Sequence, residues 1–335
     1  MNKLMLLGAG VLVMAATSCS NDETVDVPQG NAIGFKTMID KNIGRAATEL
    51  TTANLSQFKV WGYAGNQQIF NGQSVGFAEG AWTYTPVQYW EANKLYAFTA
   101  VASDKGADCT ATYTVAAPTS GQEGSGFGTV AFNNETAAGN EDVVWASQKQ
   151  DAMTTIPGTV PAVNLAFKHA LSRVKFTFVN GMGTEAYTLT FANVKIDNAM
   201  SEGTMTLPGA TWAQTGKSVF SLGFDAPTAN IANTKNAATG YQYIIPGMQN
   251  LTISFDVTRT VTATGATETY HHVNVSISLG KGVAYANGNS YNFTATLTPD
   301  NIDNENKLQQ IKFEASVDPW LGDTENSVTL PEKSE

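Results

Sequence analysis

Few residues in this chain are of the types that do chemistry, and fewer stand at spacings that would let them act together. Gly72-Gln73-Ser74-Val75-Gly76 matches by letter the G-x-S-x-G turn that exposes a nucleophilic serine. That turn needs a strand before it and a helix after it. Here a glycine-spaced FAEGAWTY follows, so a hairpin loop is expected. Thr215-Gly216-Lys217-Ser218 ends like a phosphate-binding loop, but Thr211 stands where its first glycine belongs and no helical pattern follows. Gly280-Lys281-Gly282 lacks the hydroxyl residue after its lysine. The histidines are His169, His271 and His272. Adjacent residues of a strand point to opposite faces, so the last two cannot clasp one metal together. His169, before Ala170-Leu171, reads as a hydrogen-bonded structural residue. Asp300, Asp303 and Glu305 carry oxygens that calcium wants, but they miss the spacing and the glycine of a calcium loop. A solvated acidic turn is expected there. Trp61, Trp82, Trp90, Trp145, Trp212 and Trp320 could stack on sugars, although most are expected in the core, with one or two at the surface. No catalytic set emerges, no metal or cofactor is expected, and the chain is not read as an enzyme.

One basic residue is conspicuous. Arginine occurs only at Arg45, Arg173 and Arg259 in 335 residues, and Arg45 closely follows a clean strand pattern in NAIGFKTMIDKNIGRAATEL. Ile33, Phe35, Thr37 and Ile39 fall on one face of that strand. If Ile33, Phe35 and Ile39 are buried, they contribute roughly 5–9 kcal/mol together, which approaches the stability of a typical domain. Exposed loops with small residues are where proteases cut in any case, so Arg45 also fits an ordinary loop residue beside a strand 31–39 that stays permanently in the sheet.

The elements around these residues follow a period of two. Phe58 and Val60 open a strand in SQFKVWGYAG, and LYAFTAVAS, CTATYTVAA, GTVAFN and EDVVWAS continue the pattern. Val174, Phe176 and Phe178 form another set, then Tyr187, Leu189 and Phe191, and Leu251, Ile253, Phe255 and Val257. Val273, Val275, Ile277 and Leu279 share a face, as do Tyr291, Phe293, Ala295 and Leu297. Ile311, Phe313, Ala315 and Val317 form the last clear set. Only KHALSRV has helical spacing, through Phe167, Ala170, Leu171 and Val174, and a bulged strand or a short turn fits it equally. The fold class is therefore all-β, built of sandwiches. Two prolines and a glycine in TTIPGTVPAVNL, residues 154–165, suggest a domain boundary, dividing the body into residues 46–158 and 159–335.

Composition narrows the partners. The net charge of −10 argues against nucleic acid. Charged residues are 14% and hydrophobic ones 42%, which describes a folded chain with an uncharged polar surface. The sequence opens MNKLMLLGAGVLVMAATSCSNDE, with Lys3, an apolar run from Leu4 to Ala16, and a small-residue end. Residues 1–18 read as an export signal. It resembles a lipoprotein signal with Cys19 as the lipidated new N-terminus, although Ala16 stands where such signals usually carry Leu. Only Cys109 would remain beside Cys19, so no disulfide framework exists. Cys109, Ala111, Tyr113 and Val115 share a face, and a buried structural thiol is expected.

Several stretches in order carry a resemblance. They are MAATSCSNDE, the IGF strand followed by GRAAT, LSQFKVWGYAG and GAWTYTPVQYWEANKLYAFTAVA. LAFKHALSRVKFTFV, YIIPGMQNLTISFDV, GKGVAYANGNSYNFTATL and IKFEASVDPW complete the series. Together they resemble the fimbrillins, pilins of the type V pili of Bacteroidetes. The resemblance implies two transthyretin-like Greek-key β-sandwich domains in tandem. It also implies an outer-membrane lipoprotein precursor held by a lipid on Cys19, a trypsin-like protease cutting after Arg45 and before Ala46, and a final place in a cell-surface fimbrium. Residues 19–45 would then hold a removable strand at 31–39, whose loss leaves an apolar groove with unpaired edges. A neighbouring identical or homologous subunit would fill it by strand addition, a head-to-tail contact that grows filaments. The donor is expected near the C-terminus, either Ile311, Phe313, Ala315 and Val317 or the shorter set Val328 and Leu330. A stalk, accessory or tip position fits equally, and the adhesion target is not specified. The alternative is a surface lipoprotein that binds a glycan or host ligand without polymerising.

Overall fold

The computed structural model describes residues 31–39, 50–118, 127–215, 219–247, 250–280, 282–303 and 309–319. Strands dominate them. In chain order they are β1 (Phe35–Ile39), β2 (Gln57–Ala64), β3 (Gln67–Ala78), β4 (Ala81–Thr83) and β5 (Tyr96–Ser103). Next come β6 (Thr112–Thr114), β7 (Thr129–Asn133), β8 (Val143–Gln150), β9 (Val163–His169) and β10 (Ser172–Asn180). The second half contributes β11 (Tyr187–Met200), β12 (Glu202–Thr206), β13 (Thr211–Gln214), β14 (Val219–Gly223) and β15 (Asn236–Ala238). It ends with β16 (Gln242–Ile244), β17 (Asn250–Val261), β18 (Thr267–Ser278), β19 (Asn289–Leu297) and β20 (Phe313–Pro319). A four-residue helix, Asn134–Ala137, follows β7 and is capped by the Asn133 side chain.

The first half is a seven-stranded sheet in the order β1-β9-β8-β5-β2-β3-β4. All eight residues of β5 are buried, because both faces of the sheet's centre are covered. The sheet rolls on itself. β1 stands four places from β2 and five from β3 in that order, yet the Phe35 ring lies 5.8 Å from Phe58 and 5.6 Å from Phe70. The roll is closed by the segment after β4: Ile33 N donates to Gln88 O at 2.8 Å and Trp90 N to Asn31 O at 2.8 Å.

The outer face of this sheet packs on a second one, ordered β13-β12-β7-β6. Val101, Val130, Phe132 and Trp145 of the first half meet Met205, Leu207, Tyr243 and Ile245 of the second in one apolar cluster. The halves therefore interleave. The proline segment 154–165 does not divide the sheets, since β9 pairs with both β1 and β8. The chain changes sheets at Ala170-Leu171, both fully buried, and β10 begins immediately after. KHALSRV is thus two strands joined at a kink, and its helix-like spacing arises because the buried side switches where the chain passes between sheets.

The second half is a sandwich of two sheets, β14-β11-β17-β18 against β15-β10-β19-β20, with β16 also on β10. Phe176, Phe178, Phe191, Phe255 and Phe293 fill the space between them. Three irregularities shift the alternation, one of them in β11 between Ile196 and Ala199 against β14. In β11 the register slips between Ala192 and Lys195, at Asn193 with φ of 52°. In β18 the inward set changes from Tyr270 and His272 to Ile277 and Leu279 around Asn274, whose φ is 53°. Val273, expected inward, is consequently 67% exposed. A bulge inserts one residue and turns every later side chain to the other face.

Candidate assembly site

The site is the seat of β1. From Ile33 through β1 the residues alternate as expected: Ile33 and Ile39 are 1% exposed and Phe35 6%, while Lys36 and Met38 face solvent and Thr37 is half-buried. β1 runs parallel to β9, with Phe35 opposite Val163, Thr37 opposite Leu165 and Ile39 opposite Phe167. The Phe35 ring is caged by Phe58, Phe70, Tyr84 and Phe98 at centroid distances of 5.6–6.1 Å, mostly edge to face. Such geometry suits the ring quadrupoles and adds to the burial itself.

Both ends of the strand are clasped on the side away from β9. At the start, the Tyr84 hydroxyl donates to Ile33 O at 2.6 Å, beside the backbone bonds to residues 88–90. Burial pushes the Tyr84 phenol above its ordinary value of 10.0, although the hydrogen bond from Gln88 N works against it. At the far end, Thr52 Oγ1 accepts from Ile39 N at 2.9 Å and donates to Ile39 O at 3.0 Å. One hydroxyl thus stands in for a neighbouring strand.

The clasp is anchored beneath. Leu50 N donates to Asp142 Oδ2 at 2.9 Å, and Asp142 Oδ1 meets His169 Nδ1 at 2.9 Å with both side chains fully buried. Thr51 N donates to Asn54 Oδ1 at 2.6 Å and closes the turn. Neighbouring Glu141 is also fully buried and accepts from Ser103 Oγ at 2.6 Å and Thr110 N at 3.0 Å. His169 is the hydrogen-bonded structural residue its context suggested. Thr52, Tyr84 and Asp142 carried no sequence signal.

The remaining residues singled out above fall as follows. Phe313, Ala315 and Val317 lie in β20, an edge strand antiparallel to β19, and pack with Ile311 against the core of the second half. Cys19, Arg45, Ala46, Glu305, Lys217, Lys281, Trp320, Val328 and Leu330 lie outside the described residues. Ser74 is an exposed residue within β3, so no nucleophile turn forms there. His271 and His272 do point apart: the first is exposed and meets Asp256 Oδ1 at 2.6 Å, while the second is buried and meets Ile302 O at 3.0 Å. Burial, then Glu141, pushes the half-buried Cys109 thiol up to about 12, which leaves no reactive thiolate. Among the described residues no group of three or more His, Cys, Asp or Glu side chains could hold a metal ion. The described tryptophans are packed. Trp90 and Trp145 are buried, Trp61 lies between Tyr113 and Gly72, and Trp82 between Phe58 and Phe77. Trp212 Nε1 donates to Ala170 O at 2.8 Å.

Among the described residues the body is all-β, with β1 held in a rolled sheet by one ladder and two end clasps. The chain belongs to the fimbrillin-like family, whose model matches residues 42–320. It is similar in fold to a fimbrial protein of Bacteroides vulgatus, at 18% identity and a TM-score of 0.59, over 87% of this chain and 99% of the other. A candidate cell adhesion protein of Bacteroides eggerthii aligns at 13% identity and a TM-score of 0.49, over 88% and 97% of the two chains. No curated protein matches the sequence. Membership makes the chain a pilus or adhesin-type surface protein.

Proposed function

We propose that this chain is a subunit of a cell-surface fimbrium, in a stalk, accessory or tip position, assembled by release of β1 and strand exchange with a neighbouring subunit. In this reading the precursor is exported, anchored in the outer membrane through a lipid on Cys19, and cut by a trypsin-like protease between Arg45 and Ala46. The observation that carries it is the seating of β1. Three apolar side chains are almost wholly buried, in one core cluster with residues of β2, β3, β5 and β9. Residues 40–49 link β1 to Leu50, and Leu50 is held to Asp142. A cut within that link frees β1 while the chain beyond it keeps its attachment to the body.

Loss of β1 exposes the edge of β9, the backbone of residues 88–90 and the Phe35 cage. An extended segment from another subunit restores both the ladder and the apolar contacts. Because slot and donor are different surfaces, the contact repeats head to tail. The rival reading, a lipid-anchored protein that binds a glycan without polymerising, gains nothing from the described tryptophans, which are engaged in packing.

The test is Arg45→Ala. It should yield a folded lipoprotein that retains Cys19 and builds no filaments, whereas wild-type surface material should begin at Ala46. Filaments of normal length from the variant would refute the proposal.

A further inference from the structure

A cavity of about 300 Å³ opens on the face of the first sheet turned away from the β1 seat. Alternation along β2 and β5 puts it there. Val60, Phe98 and Ala100 pack with Phe35, whereas Trp61 and Val101 belong to the cluster on the opposite face. Lys59, Trp61, Ser74, Val101, Cys109 and Ala111 line the cavity. Its volume lies at the lower end of small-molecule sites, which are walled by apolar groups with a few placed polar ones. The apolar part is held in position. Trp61 lies between Gly72 and Tyr113, whose ring centroid is 4.4 Å away. Cys109, kept a neutral thiol by burial and by Glu141, offers a polarizable sulfur against which an aromatic ring packs well.

The polar part has donors to spare. Lys59 stands opposite Ser74 of β3 and Val101 of β5, and Gln57, which also lines the cavity, is one turn of the same alternation away. Among the described residues the side chains of Gln57, Lys59 and Ser74 have no hydrogen-bond or ion-pair partner. The charges around the cavity set a direction. The buried Glu141 carboxylate accepts from Ser103 Oγ at 2.6 Å, and Ser103 lines the cavity too. A negative group is therefore repelled near Ser103 and drawn toward Lys59.

We propose that this cavity binds a small aromatic carboxylate, its ring against Trp61, Val101 and Cys109 and its carboxylate on Lys59, Ser74 and Gln57. A carboxylate accepts from an ammonium, a hydroxyl and an amide at once, and the volume suits a flat body of one or two rings. None of the lining residues belongs to β1, so the site does not depend on the release of that strand.

Calorimetric titration of the uncut, folded protein with 1-naphthylacetate and with the neutral 1-naphthylacetamide tests this. The acid should bind about tenfold more tightly than the amide, because its contacts are charge-assisted. That advantage should shrink at high salt, since Lys59 is exposed, and should disappear in Lys59→Met. Ser74→Trp places an indole in the cavity and should abolish binding of both compounds. Lys59 and Ser74 are both exposed, so each variant should keep the wild-type thermal transition. Failure of the wild-type protein to bind either compound overturns the cavity as a ligand site. Equal affinities for acid and amide, or an advantage that survives K59M, overturn the carboxylate. Binding that is unchanged in S74W overturns the location.

Discussion

At the scale of residues, the clearest contrast is among the arginines. Arg173 is buried, donates Nε to Ser290 Oγ and lies 4.3 Å from the Tyr241 ring centroid. Arg259 bonds Glu268 at 2.6 Å and stacks on Tyr187 and Tyr270. Both sit inside strands paired on each side. Proteases need exposed, locally opened chain. An arginine-specific protease acting on the native protein should leave the bonds after Arg173 and Arg259 intact, as read by mass spectrometry of the products, and early cleavage at either contradicts this account. Tyr84 supports a second prediction. Its folded value is raised by burial above 10.0, so the stability it contributes is fully present below pH 10 and is lost as pH rises through the folded value. Tyr84→Phe should cost about 0.5–1.5 kcal/mol near neutrality. Denaturant unfolding should show that difference shrinking above pH 10, and a difference that stays constant would remove Tyr84 from the clasp.

At the scale of elements, β1 divides into an inward face that holds it and an outward face that does not. Phe35→Ala empties the aromatic cage and should destabilise the uncut protein by about 3–5 kcal/mol. Met38→Lys changes a residue 46% exposed and should stay within about 0.5 kcal/mol. Amide hydrogen exchange supplies the local measurement: β1 amides should lose protection in the first variant and keep it in the second. Equal effects from the two would mean that the strand is not held by its buried side chains. β20 follows the same rule at the end of its sheet, where its inward residues are covered less completely.

At the scale of the whole molecule, the two halves share structure. β12 and β13 belong by sequence to the second half but complete the sheet over β7 and β6, and their Met205 and Trp212 pack with Val101 and Trp145. Neither half can bury that cluster alone. The intact chain should unfold in one cooperative thermal transition, and residues 159–335 expressed separately should aggregate or bind a hydrophobic dye. A stable fragment with a sharp transition of its own would show that the shared cluster contributes little to the fold.

What was legible from sequence alone was local. Alternation with a period of two is a property of successive residues, so the inward faces of β1, β2, β10 and β19 and the all-β class could be read directly. The seating of Ile33, Phe35 and Ile39 and the structural part played by His169 followed in the same way. Other features depend on contacts between distant residues and leave no periodic mark. Thr52 reaches Ile39 across 13 residues, Tyr84 reaches Ile33 across 51, and Leu50 reaches Asp142 across 92. The bulges at Asn193 and Asn274 and the change of sheet at Ala170-Leu171 depend on which strands lie alongside. Tertiary structure decided them because a strand's neighbours, unlike its faces, are chosen by the packing of the whole chain.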